Sequence, residues 1–393
     1  MKGAALVGQS GGPTSVINAS LAGIIEGVRE RSGGRIYGMR FGIEGFLEGD
    51  LLDLSSLPDQ EVGLLKATPG SALGSTRRKL TDEDLPRVRE LLEKYDIRYL
   101  FLIGGNDTME TIHRVEAYCR RTGYELFGVG VPKTVDNDLV GTDHTPGYPS
   151  AARYVALSVL QGGRLAADMQ RVDKFAIYQT VGRDTGWLAA ASVVAKRRPD
   201  EAPHLICVPE RPLTLDRFLA DVERAIASYG YCYIVVGEGV VWEDGTPVSA
   251  SQEKDSFSNI EFGAMGGASA ALTLHRILKD RLGLRGEFQI PESLAMCASD
   301  RVSAIDREEA YACGRKAVTY ASEGRSGIMV TIERSSSKPY RFTLGSIPLG
   351  EVARKTKPMP DEFLTPEGHF VSEAFEEYIR PLVGDIERFA RLF

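Results

Sequence analysis

The sequence has no cysteine pair spaced for a metal or redox motif. Its five cysteines, at 119, 207, 232, 297 and 313, are odd in number and far apart. They read as reduced thiols of a cytoplasmic protein rather than a disulfide framework. The five histidines show no metal spacing either, so a zinc site is not expected. No apolar run approaches the roughly eighteen residues that cross a bilayer. The apolar part of the N-terminal MKGAALVGQSGG is too short for a secretory signal. Positive charge is in deficit, with 47 Lys and Arg against 54 Asp and Glu, a net charge of -7. That argues against a nucleic-acid footprint, and neither nucleic acid nor membrane is expected as a partner. Short-period repeats and low-complexity tracts are absent. No GxGxxG follows the first strand, which sets aside a dinucleotide-binding dehydrogenase. A small anionic substrate would have to find its positive charge locally.

What is present is an α/β alternation. The 393 residues suit two linked domains. Short apolar runs ending in Gly, Pro or a polar residue read as buried strands: GAALVGQ, RYLFLIGG, LFGVGVP, KFAIYQT, HLICVPE and YCYIVVGEG. Amphipathic helices lie between them. One is expected from Thr81 to Tyr95, with Thr81 before Asp84 as a capping-box-like start, and another from Leu215 to Tyr229. Apolar strands alternating with helices imply mainly parallel sheets covered on both faces, and two such sheets fit the length. RSSSKPYRF, at 334–342, reads as a loop and a following strand. The Pro-rich stretch 354–368 reads as a surface connection before a last helix.

Ligands of open parallel sheets sit beyond the carboxyl ends of the strands, and five strand ends here carry unusual residues. In LVGQSGGPTSVINAS, Gly11 and Gly12 free the backbone to approach a phosphate at a helix N-terminus, or simply make a tight turn. In LFLIGGNDT, Gly104 and Gly105 precede Asn106, Asp107 and Thr108. Asp107 is either a helix cap or a carboxylate that a divalent cation bridges to phosphate oxygens. In GVGVPKTVDNDL, Asp136 and Asp138 are two apart and would share a side of an extended segment, with Lys133 in the same loop. One such carboxylate suits proton removal from a hydroxyl and the other suits a metal. Gly182–Arg183 in QTVGRDTGW and Glu238 between glycines in VVGEGV end two further strands. They suit a phosphoryl group and sugar hydroxyls respectively. GSTRRKL adds Arg77 and Arg78.

Together QSGGPTSVINAS, GGNDT, PKTVDNDL, TDHTPGYPSAARY, VGRDTGW and GEG resemble the phosphofructokinase family of the bacterial type, over residue 1 to about 330. The resemblance implies two similar Rossmann-like domains with the active site in the cleft between them. It places a phosphoryl-donor domain at 1–146 plus about 265–305. The acceptor domain is then 147–264 plus about 306–393. It implies a glycolytic phosphotransferase using Mg²⁺, acting on the 1-hydroxyl of fructose 6-phosphate, as a homodimer or homotetramer. Asp136 matches the general base, with Thr134 and Asp138 beside it. Arg183 matches the arginine on the transferred phosphoryl, Glu238 the sugar-binding glutamate, and Val181 and Gly182 the sugar site. Gly11, Gly12, Arg77, Gly105 and Thr108 match the donor site, and Asn106, Asp107 and Asp138 the metal. ATP-using relatives carry glycine at the positions of Asp107 and Lys133, whereas pyrophosphate-using relatives carry Asp and Lys. A carboxylate where an α-phosphate would lie repels it, and an ammonium compensates on a short donor. The resemblance therefore implies a pyrophosphate-dependent branch.

The sequence departs from that pattern in places. Asn106 stands where most members have Asp, and Val181 where they have Met. Leu294–Ala295–Met296 replaces a Leu-Gln-Arg whose arginine binds the sugar 6-phosphate, Ser293 replaces a histidine, and Lys174 replaces a neighbouring-subunit arginine. Arg285, Arg301 or Lys174 would have to compensate, or the acceptor is another sugar phosphate or a polyol. A non-catalytic sensor on the same fold would not require Asp136 and Arg183.

Overall fold

The computed structural model describes residues 2–32, 34–249, 269–366, 368–387 and 389–390. Among these, eleven strands run in chain order: β1 (Ala4–Gln9), β2 (Ile36–Met39), β3 (Leu51–Asp53), β4 (Ile97–Gly104), β5 (Phe127–Pro132), β6 (Phe175–Thr180), β7 (Leu205–Cys207), β8 (Cys232–Gly237), β9 (Gly286–Gln289), β10 (Ile328–Ser337) and β11 (Tyr340–Pro348). The six apolar runs of the sequence are β1, β4, β5, β6, β7 and β8. The chain divides into two compact units, Met1–Ser150 with Met296–Lys357 and Ala151–Ala295 with Pro358–Phe393.

The first unit holds a seven-stranded sheet in the order β11-β10-β5-β4-β1-β2-β3. It is parallel from β2 through β10, with β3 and β11 antiparallel at the two edges. Both faces are covered, which is why its central strands read as unbroken apolar runs. Val7, Phe101 and Ile103 join one cluster, and Leu6, Leu100 and Leu102 join the other, on the period-two alternation of a pleated strand.

Helix Ala304–Ser322 belongs to this unit. It lies so close to helix Ile17–Ser32 that a Cβ on Gly314 would come 2.1 Å from the Ser20 carbonyl oxygen, and one on Gly23 would come 2.3 Å from that of Tyr311. Between these glycines the Ser20 hydroxyl donates to the Ala310 carbonyl at 2.9 Å. The expected split, with 306–357 in the second domain, is therefore corrected: this helix and the β10–β11 hairpin complete the first sheet. The described part of 265–295 moves the other way. Ala270, Ala271, Leu274 and Leu278 of helix Ala270–Leu282 pack into the second unit's core with Phe175, Ile177 and Ile234. The stretch 250–268 of that expectation lies outside the described residues.

The second unit has a four-stranded parallel sheet in the order β7-β8-β6-β9. Helix Leu215–Tyr229 covers it through Phe218, Val222 and Ala225, as the spacing implies.

Two local expectations change. The helix expected from Thr81 begins at Leu85, because the Asp84 carboxylate turns back to accept from the Thr81 amide and hydroxyl at 2.9 and 3.0 Å. Residues 334–337, expected as loop, extend β10 of a hairpin.

Replacing Gly314 with Ala adds helix propensity of about 1 kcal/mol. Because the new methyl meets rigid backbone, the overpacking penalty of about 1–3 kcal/mol outweighs it. Chemical denaturation should show a net loss of stability, and a neutral or stabilising Gly314→Ala would refute the close approach.

Candidate active site

Parallel pairing sets β1, β4 and β5 side by side, with Gln9 opposite Ile103 and Gly104 opposite Pro132. Their carboxyl ends therefore come together, and with them Gly11–Gly12, Gly105–Thr108 and Lys133–Asp138. Gly11 has φ 76°, a conformation glycine adopts without strain. The Lys133 backbone amide donates to the Gly104 carbonyl at 3.1 Å. Its ammonium crosses to the glycine loop and donates to the Gly12 carbonyl at 2.7 Å. A Cβ on Gly11 would lie 3.1 Å from that ammonium, and one on Gly12 would strike the Met296 methyl. Met296, expected at the sugar's 6-phosphate, rests on the glycine loop instead, with its carbonyl accepting from Ser15 at 3.2 Å.

The Thr134–Asp138 segment is not an extended strand. Asn137 sits in the left-handed region at φ 55°, buried, and its side-chain oxygen accepts from the Thr145 amide at 3.1 Å. Asp136 and Asp138 are nevertheless both half-buried, and both act electrostatically on Lys133. The expected extended geometry is corrected: the segment runs through a turn at Asn137. The Asp136 amide donates to the Thr134 hydroxyl at 3.1 Å.

Helix Asn106–Arg121 starts at the Gly105 corner. The Asn106 amide nitrogen donates to Asp138 Oδ2 at 3.0 Å, while its buried Oδ1 has no partner. An orphaned amide oxygen beside a carboxylate is a hard-oxygen donor set that fits a divalent cation. Among the described residues no cluster of three or more His, Cys, Asp or Glu could hold a metal by itself. Asp107 is exposed in the first helical turn, where its charge reaches Arg354. Thr108 is buried over Gly104, and Arg77 is exposed.

In the second unit, the ends of β6 and β8 hold Val181, Gly182, Arg183 and Glu238. Glu238 Oε1 accepts from the Gly182 amide at 3.1 Å, and the Gly239 amide donates to the Gly182 carbonyl at 3.2 Å. Gly182 has φ 131°. Burial pushes the Glu238 carboxyl up to about 7; the Gly182 bond opposes this, and the charge of Glu292 adds to it. Lys174 and Arg285 lie elsewhere, at the amino ends of β6 and β9. There the Lys174 amide donates to the Arg285 carbonyl at 2.7 Å, and Arg285 pairs with Asp173 at 2.9 Å. Six residues of β6 separate them from Gly182, about 20 Å at strand rise. Within this chain they do not join Gly182 and Glu238.

The sequence reading missed two groups that hold the Asp136 loop. The Lys357 amide donates to the Asp138 carbonyl at 2.7 Å, and its ammonium donates to the carbonyls of Thr142 and Asp143 at 3.1 and 3.0 Å. Asp306, fully buried, accepts from the Gly147 and Ser150 amides at 2.8 and 3.0 Å and from the Ser150 hydroxyl. Neither had a local signal, because their partners lie about 160 to 220 residues away.

The phosphofructokinase family profile matches residues 4–321. The pyrophosphate–fructose 6-phosphate 1-phosphotransferase of Halomonas elongata is 37% identical over 387 residues, 96% of this chain and 91% of that protein. The sulfofructose kinase of Alkalicoccus urumqiensis is 32% identical over 379 residues, 96% of this chain and 94% of that one. The crystal structure of the pyrophosphate-dependent phosphofructokinase from Nitrosospira multiformis superposes with a TM-score of 0.89 at 36% identity, covering 99% of this chain and 94% of that one.

Lys133 gives the glycine loop a measurable signature. It is 3% exposed, and burial lowers its ammonium to about 8 from an ordinary 10.5, against the pull of Asp136 and Asp138. A charged form disfavoured by folding lowers stability at pH 7 by about 3 kcal/mol. Between pH 8 and 10.5 the unfolded chain binds the extra proton, so stability rises with pH. Lys133→Met loses one hydrogen bond of about 1 kcal/mol. It should therefore unfold at higher denaturant than the parent at pH 7, with the advantage fading toward pH 10.5. A less stable variant at pH 7 would contradict the buried charge.

Proposed function

The chain belongs to the phosphofructokinase family, and from that premise we propose that it moves a phosphoryl group from pyrophosphate to the 1-hydroxyl of fructose 6-phosphate. The products are fructose 1,6-bisphosphate and phosphate. The observation that supports the donor most directly is the Lys133 ammonium fixed over Gly11 and bonded to Gly12, with Asp107 opening the adjacent helix. A buried ammonium at the glycine loop suits a short, highly charged anion. A carboxylate at the next strand end repels the additional phosphate of a nucleotide.

In this reading Asp136 takes the proton of the attacking hydroxyl, and Thr134 orients Asp136 through its amide. Asp138 and the Asn106 oxygen would hold Mg²⁺, with Asp107 as a third candidate. When bound, the ion neutralises charge on the phosphate oxygens. Gly11, Gly12, Gly105, Thr108 and Arg77 bind pyrophosphate, and Arg183 stabilises the phosphoryl group in transfer. Glu238, Val181 and Gly182 contact the sugar. Lys174 and Arg285 serve a site only as the contribution of a second copy, so the enzyme acts as a homo-oligomer. Because a phosphoanhydride and the product ester are closer in energy here than with ATP, the reaction runs in both directions, in the cytoplasm. No helix among the described residues is long and apolar enough to cross a membrane.

A second acceptor reading has its own support. The sequence has no arginine at the position where the resemblance implies the 6-phosphate contact, and one relative is named a sulfofructose kinase. A sulfonate carries one negative charge and needs fewer cationic contacts than a phosphate dianion.

Assays of the purified protein with pyrophosphate and with ATP, against fructose 6-phosphate and its 6-sulfonate analogue, separate these readings. Pyrophosphate should be the working donor, and Asp136→Asn should lower kcat about 10²–10⁴-fold. Asp107→Gly combined with Lys133→Gly should raise ATP use relative to pyrophosphate. An unchanged ratio removes the donor filter, and a sulfonate that reacts while fructose 6-phosphate stays inert replaces the acceptor.

A further inference from the structure

His144 is fully buried three residues from Gly147, and each ring nitrogen faces a carboxylate. Nδ1 lies 2.7 Å from Asp143 Oδ2, and Nε2 lies 2.6 Å from Glu309 Oε2. Two acceptors can be satisfied together only when both nitrogens carry protons. The charges continue outward. Arg334 of β10 donates to Asp143 from Nε at 3.2 Å and from Nη2 at 2.9 Å, and the Tyr340 hydroxyl of β11 donates to Glu309 Oε1.

This cluster is one step from the Asp136 loop. The Thr145 amide donates to Asn137 Oδ1, its hydroxyl donates to the Thr134 carbonyl at 2.8 Å, and the Thr134 amide donates to the Pro146 carbonyl at 3.3 Å. The Thr142 hydroxyl donates to the His144 carbonyl at 2.9 Å and accepts from the Ile332 amide at 2.9 Å. Residues 142–147 thus tie the loop to β10, and His144 rivets the same residues to helix Ala304–Ser322. Arg334, Tyr340 and Lys357 lie beyond residue 321, where the family profile ends.

We propose that His144, held as a doubly donating imidazolium between Asp143 and Glu309, is a positioning residue that fixes the Thr134–Asp138 loop for phosphoryl transfer. The proposal rests on the phosphotransferase reading above. The ring faces Asp143 on its own segment, Glu309 from helix Ala304–Ser322 and Tyr340 from β11. Arg334 stands behind Asp143, Glu309 in turn acts on buried Asp306, and Lys357 holds the Thr142 and Asp143 carbonyls. Burial alone would lower the ring's proton affinity. The charge of Glu309 and the bonds to Asp143 and Glu309 outweigh it and raise the value to about 9 from 6.5. Burial would likewise raise Asp143, and the bonds and charges of His144 and Arg334 bring it down to about 2. A group raised on folding contributes stability that is complete below about 6.5 and is lost as pH rises through 9.

The test pairs ¹⁵N NMR of the histidine rings with kcat and KM across pH 6–10 in the full chain. The wild type should show both His144 nitrogens protonated at pH 7.5, with their titration and an alkaline fall in kcat coinciding near pH 9. Glu309→Gln removes an anion and should move ring titration and kcat limb together to lower pH. Tyr340→Phe leaves Glu309 a stronger acceptor and should not move them down. His144→Gln should lower kcat about 10–100-fold, with a smaller change in KM, and abolish the limb. If Glu309→Gln does not fold, the other two variants carry the test. The proposal is overturned if His144→Gln keeps wild-type kcat and its alkaline limb, or if ring and limb titrate apart. A wild type inactive with pyrophosphate overturns the phosphotransferase reading and this one with it, whereas an active wild type that fails either criterion overturns only the role of His144.

Discussion

One buried cation organises the first unit's strand ends. Lys133 takes its backbone position from β5, bonding Gly104 at the end of β4, and places its charge on the carbonyl of Gly12 beyond β1. Three neighbouring parallel strands thereby share one electrostatic anchor. The arrangement carries a thermodynamic penalty, since an ammonium of this burial is stable in its charged form only beside Asp136 and Asp138. A group held at such a penalty has the profile of one kept for its chemistry, and an anion at the glycine loop is what would relieve the desolvation. The glycines at 11 and 12 fit the same constraint: a side chain at either would meet the ammonium or the Met296 methyl.

Much of this was legible in the sequence because it is local. A buried parallel strand announces itself as an unbroken apolar run, and the residues after it lie at the carboxyl end by construction. Gly11, Asn106, Lys133, Asp136, Gly182 and Glu238 were found that way. Long-range pairing was not legible. Nothing near Gly314 says that it must meet Ser20 across 294 residues, so the last crossing between units was misassigned. RSSSKPYRF reads as loop because an edge hairpin is half solvated and its serines and lysine carry no apolar alternation. The Asp84 reversal illustrates competition at a helix start: one carboxylate can serve the Thr81 amide or the helix, and here it serves the former.

The Asp136 loop shows the same division between local and distant causes. Its composition marks it as reactive, but its shape is set from outside. Asn137 adopts a left-handed conformation because its buried oxygen takes the Thr145 amide, and residues 142–147 are in turn held by β10, helix Ala304–Ser322 and Lys357. Fully satisfied buried polar networks fix one geometry at the expense of tolerance to change. In the general-base role proposed for Asp136 that would be useful, because proton transfer requires placement within hydrogen-bond reach of the hydroxyl. Loop composition supplies the reactive groups, and segments more than 150 residues away supply their rigidity.

The strand ends of the second unit follow a different electrostatic logic. Glu238 accepts from the Gly182 amide, and burial together with the charge of Glu292 lifts it to about 7. A carboxyl near half-protonation at neutral pH can accept from one hydroxyl or donate to another oxygen, which suits a polyhydroxy ligand whose groups do both. Its ionised form becomes less favourable in the fold than in the unfolded chain between about 4.5 and 7, so the folded unit loses stability as pH rises through that window. A sugar hydroxyl donating to the carboxylate would offset that loss. The same hydroxyl contact that confers recognition would then also favour the ionised, accepting form of Glu238, so acceptor binding and deprotonation of this one side chain are thermodynamically linked.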